Sequence, residues 1–488
     1  MNHNQTSLSV TEKVGYSLGD LAANLIFQTL MTFLAFFYTD VYNIPATKAA
    51  FIIFTGGMIG AFFNPVMGVI ADRTVTRWGK FRPWILWTAI PFGVSALLAF
   101  STPDFSENGK VTYALITYVF LVLMYSANNL PYAALSGVLT GSMKERNSLS
   151  SYRFVAVMVA QFVIQVLLLP LVIILGDGDK AIGFTKIMTV FSIVGIIFFL
   201  ITFITTKERV VPSVEQKSSV KQDILDLINN RPWLIILSVT ILIFITLALK
   251  GGMTIYYFEN FLSVQHVGMF LESTGFNNFI ASLNSLLVSV GLNEFLWPKD
   301  AATSGFSLFN ACGILFMIVG IFISKPLADK YGKRDVFTAA LSISAFTLVL
   351  FNFYSSTSIS AVFITQIIHG FFYGVTIPLL WAMIADVADY SEWKNNRRAT
   401  AIIFSAMIFG LKVGLSVGGS LVALILAYYG YNSELNVQTD ETTQGIKFSI
   451  SVLAALPFII SIIALLAYEI NKTLEHVIES ELLQRRAS

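Results

Sequence analysis

The chain of 488 residues contains few charged residues, four histidines and a single cysteine. Charged residues make up 12% of the sequence and hydrophobic residues 55%, whereas about a quarter of a soluble domain is charged. This composition excludes a soluble protein. The net charge of +2 arises from basic residues spread over many short loops, so the sequence predicts no nucleic-acid partner.

The scarcity of reactive side chains argues against a catalytic protein. Cys312 is the only cysteine, so no internal disulfide can form. The histidines are far apart in the sequence, and no nucleophile–base or metal-ligand spacing is present. We therefore predict that the protein is not an enzyme and that it holds neither a cofactor nor a metal. The N-terminus lacks the basic segment and short apolar core of a removable signal peptide.

Long apolar runs are the dominant feature that the sequence does contain. A helix of about 20 apolar residues crosses the hydrocarbon core of a bilayer, and it satisfies its own backbone hydrogen bonds there. The sequence predicts twelve such spans, a multi-pass all-α membrane protein. They are residues 14–38, 47–71, 83–101, 112–136, 153–176, 185–206, 232–262, 306–324, 336–354, 360–384, 401–429 and 448–470.

Lysine and arginine are distributed unequally between the two sides of the predicted membrane. With the N-terminus in the cytoplasm, 23 of the 31 basic residues lie inside and six lie outside, and Lys250 and Lys412 lie in the membrane. Basic residues concentrate in cytoplasmic loops of membrane proteins. We therefore predict a protein of the plasma membrane with both termini in the cytoplasm.

The chain also contains an internal repeat. DRTVTRWGKFRPW (72–84) follows the second span and DKYGKRDVF (329–337) follows the eighth, and both place an aspartate before basic residues around a Gly-Lys pair. This repeat predicts the major facilitator fold, two parallel six-helix halves with the substrate at the midplane between them. The predicted parts are a first half at 1–206, a linker with a short amphipathic helix at 207–231, a second half at 232–470 and an amphipathic tail at 471–488.

One predicted loop is unusually long. Residues 263–305 form an extracytoplasmic insertion between spans 7 and 8, and its segment FNNFIASLNSLLVSVG predicts an amphipathic helix. The sequence leaves three roles open for this segment. It lies on the membrane surface, or it covers the mouth of the cavity as a lid, or it is an inert insertion.

Five motifs resemble one family of transporters. GDLAAN (19–24), YTD (38–40), DRTVTRWGKFRPW (72–84), YYFENF (256–261) and ADVADYSEW (385–393) are similar to the glycoside-pentoside-hexuronide:cation symporters, the melibiose permease group, along nearly the whole chain. The resemblance implies import of a glycoside, monosaccharide or uronide, driven by a sodium ion or proton gradient. It also implies a monomer in a bacterial inner membrane.

Polar side chains recur at helical spacing within the predicted spans. An ionisable side chain at membrane depth is costly and marks a functional site by default, although a single amide or histidine often links two helices. We predict a substrate site drawn from spans 1, 4, 5, 7, 10 and 11. Its residues are Asp20, Asn24, Gln28, Tyr125, Asn129, Arg153, Lys250, Gln366, His369, Tyr373 and Lys412.

The family resemblance implies roles for three of these residues. The sugar-binding arginine of span 5 falls on Arg153, the tyrosine of span 4 on Tyr125, and the lysine of span 11 near the cation site on Lys412. We expect Lys412 to face the central cavity and to contact Asp20, a coupling group or the substrate. An electropositive cavity suits an anionic sugar, but the sequence leaves a neutral substrate equally open.

The melibiose permease has four carboxylates within its membrane spans, and all four are replaced in this sequence. A sodium site uses several hard oxygen ligands, usually with anionic charge. We therefore predict proton coupling through Asp20, Lys412 and His369, with sodium coupling and uncoupled facilitation left open. The four carboxylates fall on Asn24, Gly60, Asn64 and Asn129.

Charged residues at the inner ends of the spans predict a gate. A network of ion pairs can bias a rocking transporter towards one state, although the basic residues also set topology. The predicted gating residues are Asp72, Arg73, Arg77, Lys80, Asp329, Lys333, Asp386, Asp389 and Arg398. A membrane sensor with a transporter fold is a competing class, and the short tail after Ile470 argues against a large signalling domain.

Overall fold

The computed structural model describes residues 8–140, 143–209, 228–289, 297–298, 300–395, 400–435 and 437–487. Within these ranges the regular structure is helical, apart from one isolated bridge between Thr76 and Gly79. The predicted all-α fold is confirmed. Most of the predicted linker, 207–231, lies outside the described residues.

Eleven helices of the described chain are long and apolar enough to cross a membrane. The remaining predicted span, 83–101, is the helix Arg82–Ala99, whose 18 residues extend for about 27 Å. The eleven are Val10–Val41, Ala46–Ala71, Glu107–Leu139, Ser148–Leu175, Lys180–Thr205, Arg231–Phe261, Ala301–Tyr331, Lys333–Phe353, Ile359–Lys394, Ser405–Tyr428 and Asp440–Leu466.

The chain divides into two compact units. The first comprises Met1–Glu215 with Phe295–Lys299, and the second comprises Gln216–Glu294 with Asp300–Ser488. Each unit begins with a span that ends in a π-helical turn, Phe37–Val41 in the first and Tyr257–Phe261 in the second. These turns hold the YTD and YYFENF motifs, so the internal repeat extends to an irregular local structure.

Glycines allow the helices of the second unit to approach closely. A Cβ atom on Gly370 would lie 2.4 Å from the carbonyl oxygen of Gly313, and one on Gly414 would lie 2.4 Å from that of Ile241. Small residues at helix contacts let two backbones meet in a membrane. One contact joins span 10, which carries Gln366, to span 8. The other joins span 11, which carries Lys412, to span 7, which carries Lys250.

Among the described residues, three short helices lie outside the spans. Val264–Ser273 and Phe276–Ser289 belong to the predicted insertion, and Lys472–Ala487 is the predicted C-terminal amphipathic helix. Span 10 also continues as a helix to Asn395, well beyond the predicted end at 384. No proline or glycine interrupts its inner end, and its charged residues are compatible with a helix that leaves the hydrocarbon core.

Candidate functional site

An ion pair links two predicted site residues of the first unit. Nε of Arg153 donates to Oδ2 of Asp20 over 2.7 Å, and Asp20 is only 6% exposed. Nδ2 of Asn24 donates to the backbone oxygen of Asp20 at 2.9 Å and lies 3.4 Å from its Oδ1. The structure therefore brings spans 1 and 5 together at a carboxylate that has a cation and an amide beside it.

Two tyrosines that sequence reasoning did not select form a platform under this arginine. The rings of Tyr16 and Tyr132 stack with centroids 4.5 Å apart, and each hydroxyl donates to the backbone oxygen of the other residue. Cζ of Arg153 lies 5.7 Å and 5.6 Å from the two ring centroids, within cation–π range. The i−4 position of Tyr16 relative to Asp20 was the available signal, because it places both on one helix face.

The other predicted residues of the first unit lie on spans 1 and 4. Nδ2 of Asn129 donates to the hydroxyl of Tyr125 at 3.1 Å, and the Tyr125 ring stacks on Phe27. Gln28 is buried, and its Oε1 has no hydrogen-bond partner among the described residues. Burying an unsatisfied acceptor costs about 1–3 kcal/mol, so Gln28 is suited to receive a donor from a ligand.

In the second unit, Lys250 is held by a neutral partner. Its Nζ donates to Oε1 of Gln366 at 2.9 Å, and the structure describes no carboxylate within ion-pair distance of it. A Cβ on Gly313 would lie 2.3 Å from Nε2 of Gln366, so glycine is needed there to seat the amide. The ammonium group keeps donors that Gln366 does not use.

His369 is buried in a hydrogen-bonded and aromatic setting. Its Nδ1 lies 3.0 Å from Oγ1 of Thr347 and 3.2 Å from the backbone oxygen of Ser344. The Thr347 hydroxyl already donates to Ser344, so the hydrogen bonding assigns the proton to Nδ1. The imidazole stacks on Tyr373, which stacks on Phe458. These contacts give His369 a structural role in joining spans 9, 10 and 12.

Lys412 lies half-buried in the helix Thr400–Tyr428. Two residues further along that helix, Gly414 packs closely against the backbone of Ile241, which draws span 11 against the helix that carries Lys250. Within the described part of the chain, no group of three or more histidine, cysteine, aspartate or glutamate side chains could hold a metal ion.

Part of the predicted gate of the second unit is a three-residue cluster. Nζ of Lys333 lies 2.6 Å and 2.8 Å from the two carboxylate oxygens of Asp386 and 2.7 Å from Oε1 of Glu475. Asp389 lines the same cavity of about 330 Å³. The backbone oxygen of Asp329 accepts from Lys472 at 2.8 Å. The C-terminal helix therefore joins the predicted gate, while Arg398 lies outside the described residues.

The predicted gate of the first unit is arranged differently. Arg73, Arg77 and Lys80 form no ion pair with the side chains that the structure describes, and the side chain of Asp72 is not among these. Arg77 instead lies over the Trp78 ring, with 4.5 Å from Cζ to the centroid. Basic residues identified the ends of these spans in the sequence, but they did not identify the groups that contact them.

Three glutamates that sequence reasoning missed organise that end of the first unit. Glu208 accepts from the backbone N–H groups of Lys80, Phe81 and Arg82 at 2.8–2.9 Å. Glu12 accepts two bonds from Arg209, and Glu145 pairs with Lys13 at 3.0 Å. Each glutamate is more than 120 positions from a partner, so local pattern carried no signal for the pairing.

Comparison with known proteins identifies the family. A family model described as MFS/sugar transport protein matches residues 15–290 and 299–472. The chain belongs to this family. The resemblance to glycoside–cation symporters is confirmed, and the protein is a multi-pass transporter of the plasma membrane rather than an enzyme.

Several curated relatives match over almost their full length. The Inner membrane symporter YicJ of Escherichia coli (strain K12) is 35% identical, covering 93% of this chain and 91% of the relative. The Putative glycoside/cation symporter YagG of the same organism is 32% identical, covering 99% and 97%. The Isoprimeverose transporter of Lactiplantibacillus pentosus is 30% identical, covering 98% and 92%.

Solved structures support the fold. A D-xylose-proton symporter aligns with a TM-score of 0.57 over 92% of this chain and 96% of its own, at 14% identity. A POT family transporter in complex with 5-aminolevulinic acid aligns with a TM-score of 0.62 over 91% and 94%, at 11% identity. At these identities the likeness shows the major facilitator fold alone.

Proposed function

We propose that the protein imports a sugar, glycoside or sugar acid by alternating access, coupled to a proton. The observation that carries this proposal is the buried ion pair of Asp20 and Arg153 beside the Tyr16–Tyr132 platform. Relatives described as a glycoside/cation symporter and an isoprimeverose transporter support a sugar substrate and a coupling cation.

The proposed architecture has twelve spans, with Arg82–Ala99 as the twelfth helix and both termini in the cytoplasm. The proposed halves are residues 1–206 and 232–470, joined by the linker 207–231, and transporters of this fold bind their substrate near the midplane of the membrane. The positive-inside bias of the loops supports this orientation.

Asp20 is the proposed proton carrier. A proton on its carboxylate removes the charge that holds Arg153, so the guanidinium becomes available to a sugar oxygen. Conversely, a deprotonated Asp20 recaptures Arg153 and releases the substrate. This alternate binding of Arg153 to the carboxylate and to the sugar couples one proton to one sugar through Asp20. Lys412 and His369 are the other proposed coupling residues, and the tight setting of His369 favours Asp20 over it.

The positions that replace the melibiose-type carboxylates support proton over sodium coupling. A Cβ atom on Gly60 would lie 3.1 Å from Cβ of Val122, so an apolar side chain occupies the space that a carboxylate would need. Asn129 donates to Tyr125. Neither position offers an anionic ligand for a sodium ion.

The proposed sugar contacts are the polar and basic side chains that the sequence analysis selects. In the first unit they are Arg153, Asn24, Asn129 and Tyr125, with Gln28 accepting a sugar hydroxyl. In the second unit Lys250 and Gln366 provide a donor and an amide, and Tyr373 and Lys412 complete the site. A partly buried set of amides, two phenols and basic groups suits a ligand with many hydroxyl groups, because each hydroxyl both donates and accepts.

Transport into sealed vesicles tests this function. Purified protein in liposomes would be given a panel of neutral glycosides, hexuronates and sulfonated sugars under an imposed proton gradient or an imposed sodium gradient. We expect accumulation under the proton gradient. Asp20→Asn should abolish accumulation but retain exchange of labelled for unlabelled sugar, because exchange needs no net proton movement.

A matched control is Glu107→Gln, which neutralises an exposed acid at the start of span 4 and should leave accumulation unchanged. Accumulation driven only by sodium would contradict the coupling assignment and leave sugar transport standing. Absence of uptake and exchange for every sugar in the panel would contradict the proposed function itself.

A further inference from the structure

In the described part of the insertion between spans 7 and 8, two helices have different surroundings. Val264–Ser273 is anchored to the second unit, since Val267 and Leu271 are buried and Phe270 packs on Phe363 with ring centroids 4.5 Å apart. The backbone N–H of Ser263 also donates to the backbone oxygen of Ser356 in the loop between spans 9 and 10. This helix is therefore fixed at the membrane boundary where those spans end.

The second helix of the insertion is the more exposed of the two. A turn at Gly275, with φ of +74°, leads into Phe276–Ser289, in which no residue is buried and several are half-buried. Phe279 is 62% exposed and Leu286 is 60% exposed. Such large apolar side chains on one helix face mark an interaction surface.

The apolar and polar residues of this helix lie on opposite faces. At 100° per residue, six apolar side chains fall within an arc of about 120°, and the amides and hydroxyls occupy most of the remainder. The apolar face consists of Phe276, Phe279, Ile280, Leu283, Leu286 and Leu287. No charged residue occurs between Glu272 and Glu294, so no ionised group opposes contact with lipid.

The surface next to the anchoring contact is itself apolar and exposed. Phe353, at the outer end of span 9, is 74% exposed, and Ile364, one position after Phe363, is 58% exposed. In a transporter these side chains face lipid. The apolar face of Phe276–Ser289 thus belongs to a helix anchored beside a surface that already contacts the bilayer.

We propose that Phe276–Ser289 is an interfacial helix that inserts its apolar face into the adjacent leaflet of the membrane, the outer leaflet in the proposed orientation. An uncharged amphipathic helix held at the membrane boundary is suited to lie in the plane of the interface. Its polar face of asparagine and serine then points to water. This role is independent of the sugar and of the coupling ion, so it stands or falls separately from the proposed function.

Site-directed spin labelling tests the proposal, and the single cysteine makes it practicable. In a Cys312→Ser background, Phe279→Cys and Leu286→Cys would place a nitroxide on the apolar face, while Asn278→Cys and Ser285→Cys place it on the polar face. The full-length protein would be reconstituted in phosphatidylcholine–phosphatidylglycerol vesicles. Collision rates with oxygen, which concentrates in lipid, and with a water-soluble nickel chelate would be measured at each site.

We expect the ratio of oxygen to nickel collisions to be several-fold higher at positions 279 and 286 than at positions 278 and 285. Equal, water-like ratios at all four positions would overturn the proposal and place the helix in solvent. Low collision rates with both reagents at 279 and 286 would also overturn it, because the face would then be covered by protein, as a lid or by a second copy. Circular dichroism of each labelled variant checks that it remains folded.

Discussion

Arg153 and Asp20 are 133 positions apart in the chain, yet their side chains meet at 2.7 Å inside the first unit. The pair joins span 5 to span 1, and the stacked rings of Tyr16 and Tyr132 lie within cation–π range of the guanidinium. A charge pair at this depth is stable only while both members are present, since either one alone is a buried, uncompensated charge.

The first prediction concerns the stability of this pair. Arg153→Gln leaves the carboxylate of Asp20 buried without a cation, which should cost about 2–3 kcal/mol, less than the full cost of a buried pair because Arg153 is partly exposed. The double variant Asp20→Asn/Arg153→Gln should recover at least half of that loss. Unfolding midpoints of the purified protein in detergent measure both effects. Additive losses in the double variant would show that the two residues act independently.

A second prediction concerns the amide that holds Lys250. Gly313→Ala places a methyl group against Nε2 of Gln366 and should displace the amide. Gln366→Leu removes the amide altogether. Both variants should raise the KM for sugar by about tenfold, equivalent to the loss of about 1.4 kcal/mol of binding. Gly68→Ala, at a position with open space around it, is the matched control and should leave the KM unchanged.

The variant Gln366→Glu separates two classes of substrate in the same transport assay. It introduces a carboxylate 2.9 Å from the position of the Lys250 ammonium, so the two charges pair. Uptake of an anionic sugar should then fall far more than uptake of a neutral one, because the new carboxylate repels the anion. Unchanged uptake in this variant and in Gln366→Leu would remove Lys250 and Gln366 from the site.

A third prediction concerns the C-terminal helix. Lys333→Gln removes the cation between Asp386 and Glu475 and leaves two facing carboxylates, so the helix Lys472–Ala487 should detach more often. Ile478, which is buried on that helix, would be replaced by cysteine in the Cys312→Ser background. Its labelling rate by a maleimide should rise several-fold in Lys333→Gln and stay constant in Lys330→Gln. Equal rates in both would show that the ion cluster does not hold the helix.

A fourth prediction concerns Glu208, which accepts three backbone N–H groups at the start of the helix Arg82–Ala99. The first N–H groups of a helix have no hydrogen-bond partner within the helix. A carboxylate at that end accepts from them and is also attracted by the positive end of the helix dipole. Glu208→Ala should destabilise the protein by about 1–2 kcal/mol. Glu208→Gln, which keeps an acceptor oxygen, should cost less. Lys207→Gln is the control, and thermal unfolding in detergent is the measurement.

Several features of the fold were predictable because their causes are local. The apolar runs identified the segments that form the long helices. The YTD and YYFENF motifs lie at matching π-helical turns, a correspondence that the structure alone shows. The end of span 10 was misjudged by about ten residues. Hydropathy detects where a helix leaves the apolar layer, whereas the helix itself continues to Asn395 because no proline or glycine interrupts residues 385–395.

The candidate site was only partly accessible from sequence. Helical spacing placed Asp20, Asn24 and Gln28 on one face, and the cost of burying charge singled out Asp20, Lys250 and Lys412. The family resemblance indicated Arg153. Tyr16 and Tyr132 were missed because a tyrosine in a span is usually part of the core. Three glutamates were missed because only basic residues marked the loops in the sequence. The structure alone shows which acids contact those basic residues and the backbone N–H groups, namely Glu12, Glu145 and Glu208.

The sequence by itself determined the family, the helical class and the segments apolar enough to span a membrane, since composition and periodicity depend on neighbours within about 20 residues. Only the tertiary structure decided that Asp20 pairs with Arg153, that Lys250 is held by Gln366, and that Lys333 joins span 10 to the C-terminal helix. Those partners lie on different helices. Which side chains meet there depends on how the helices pack, and the glycine contacts at Gly313 and Gly414 are part of what sets that packing.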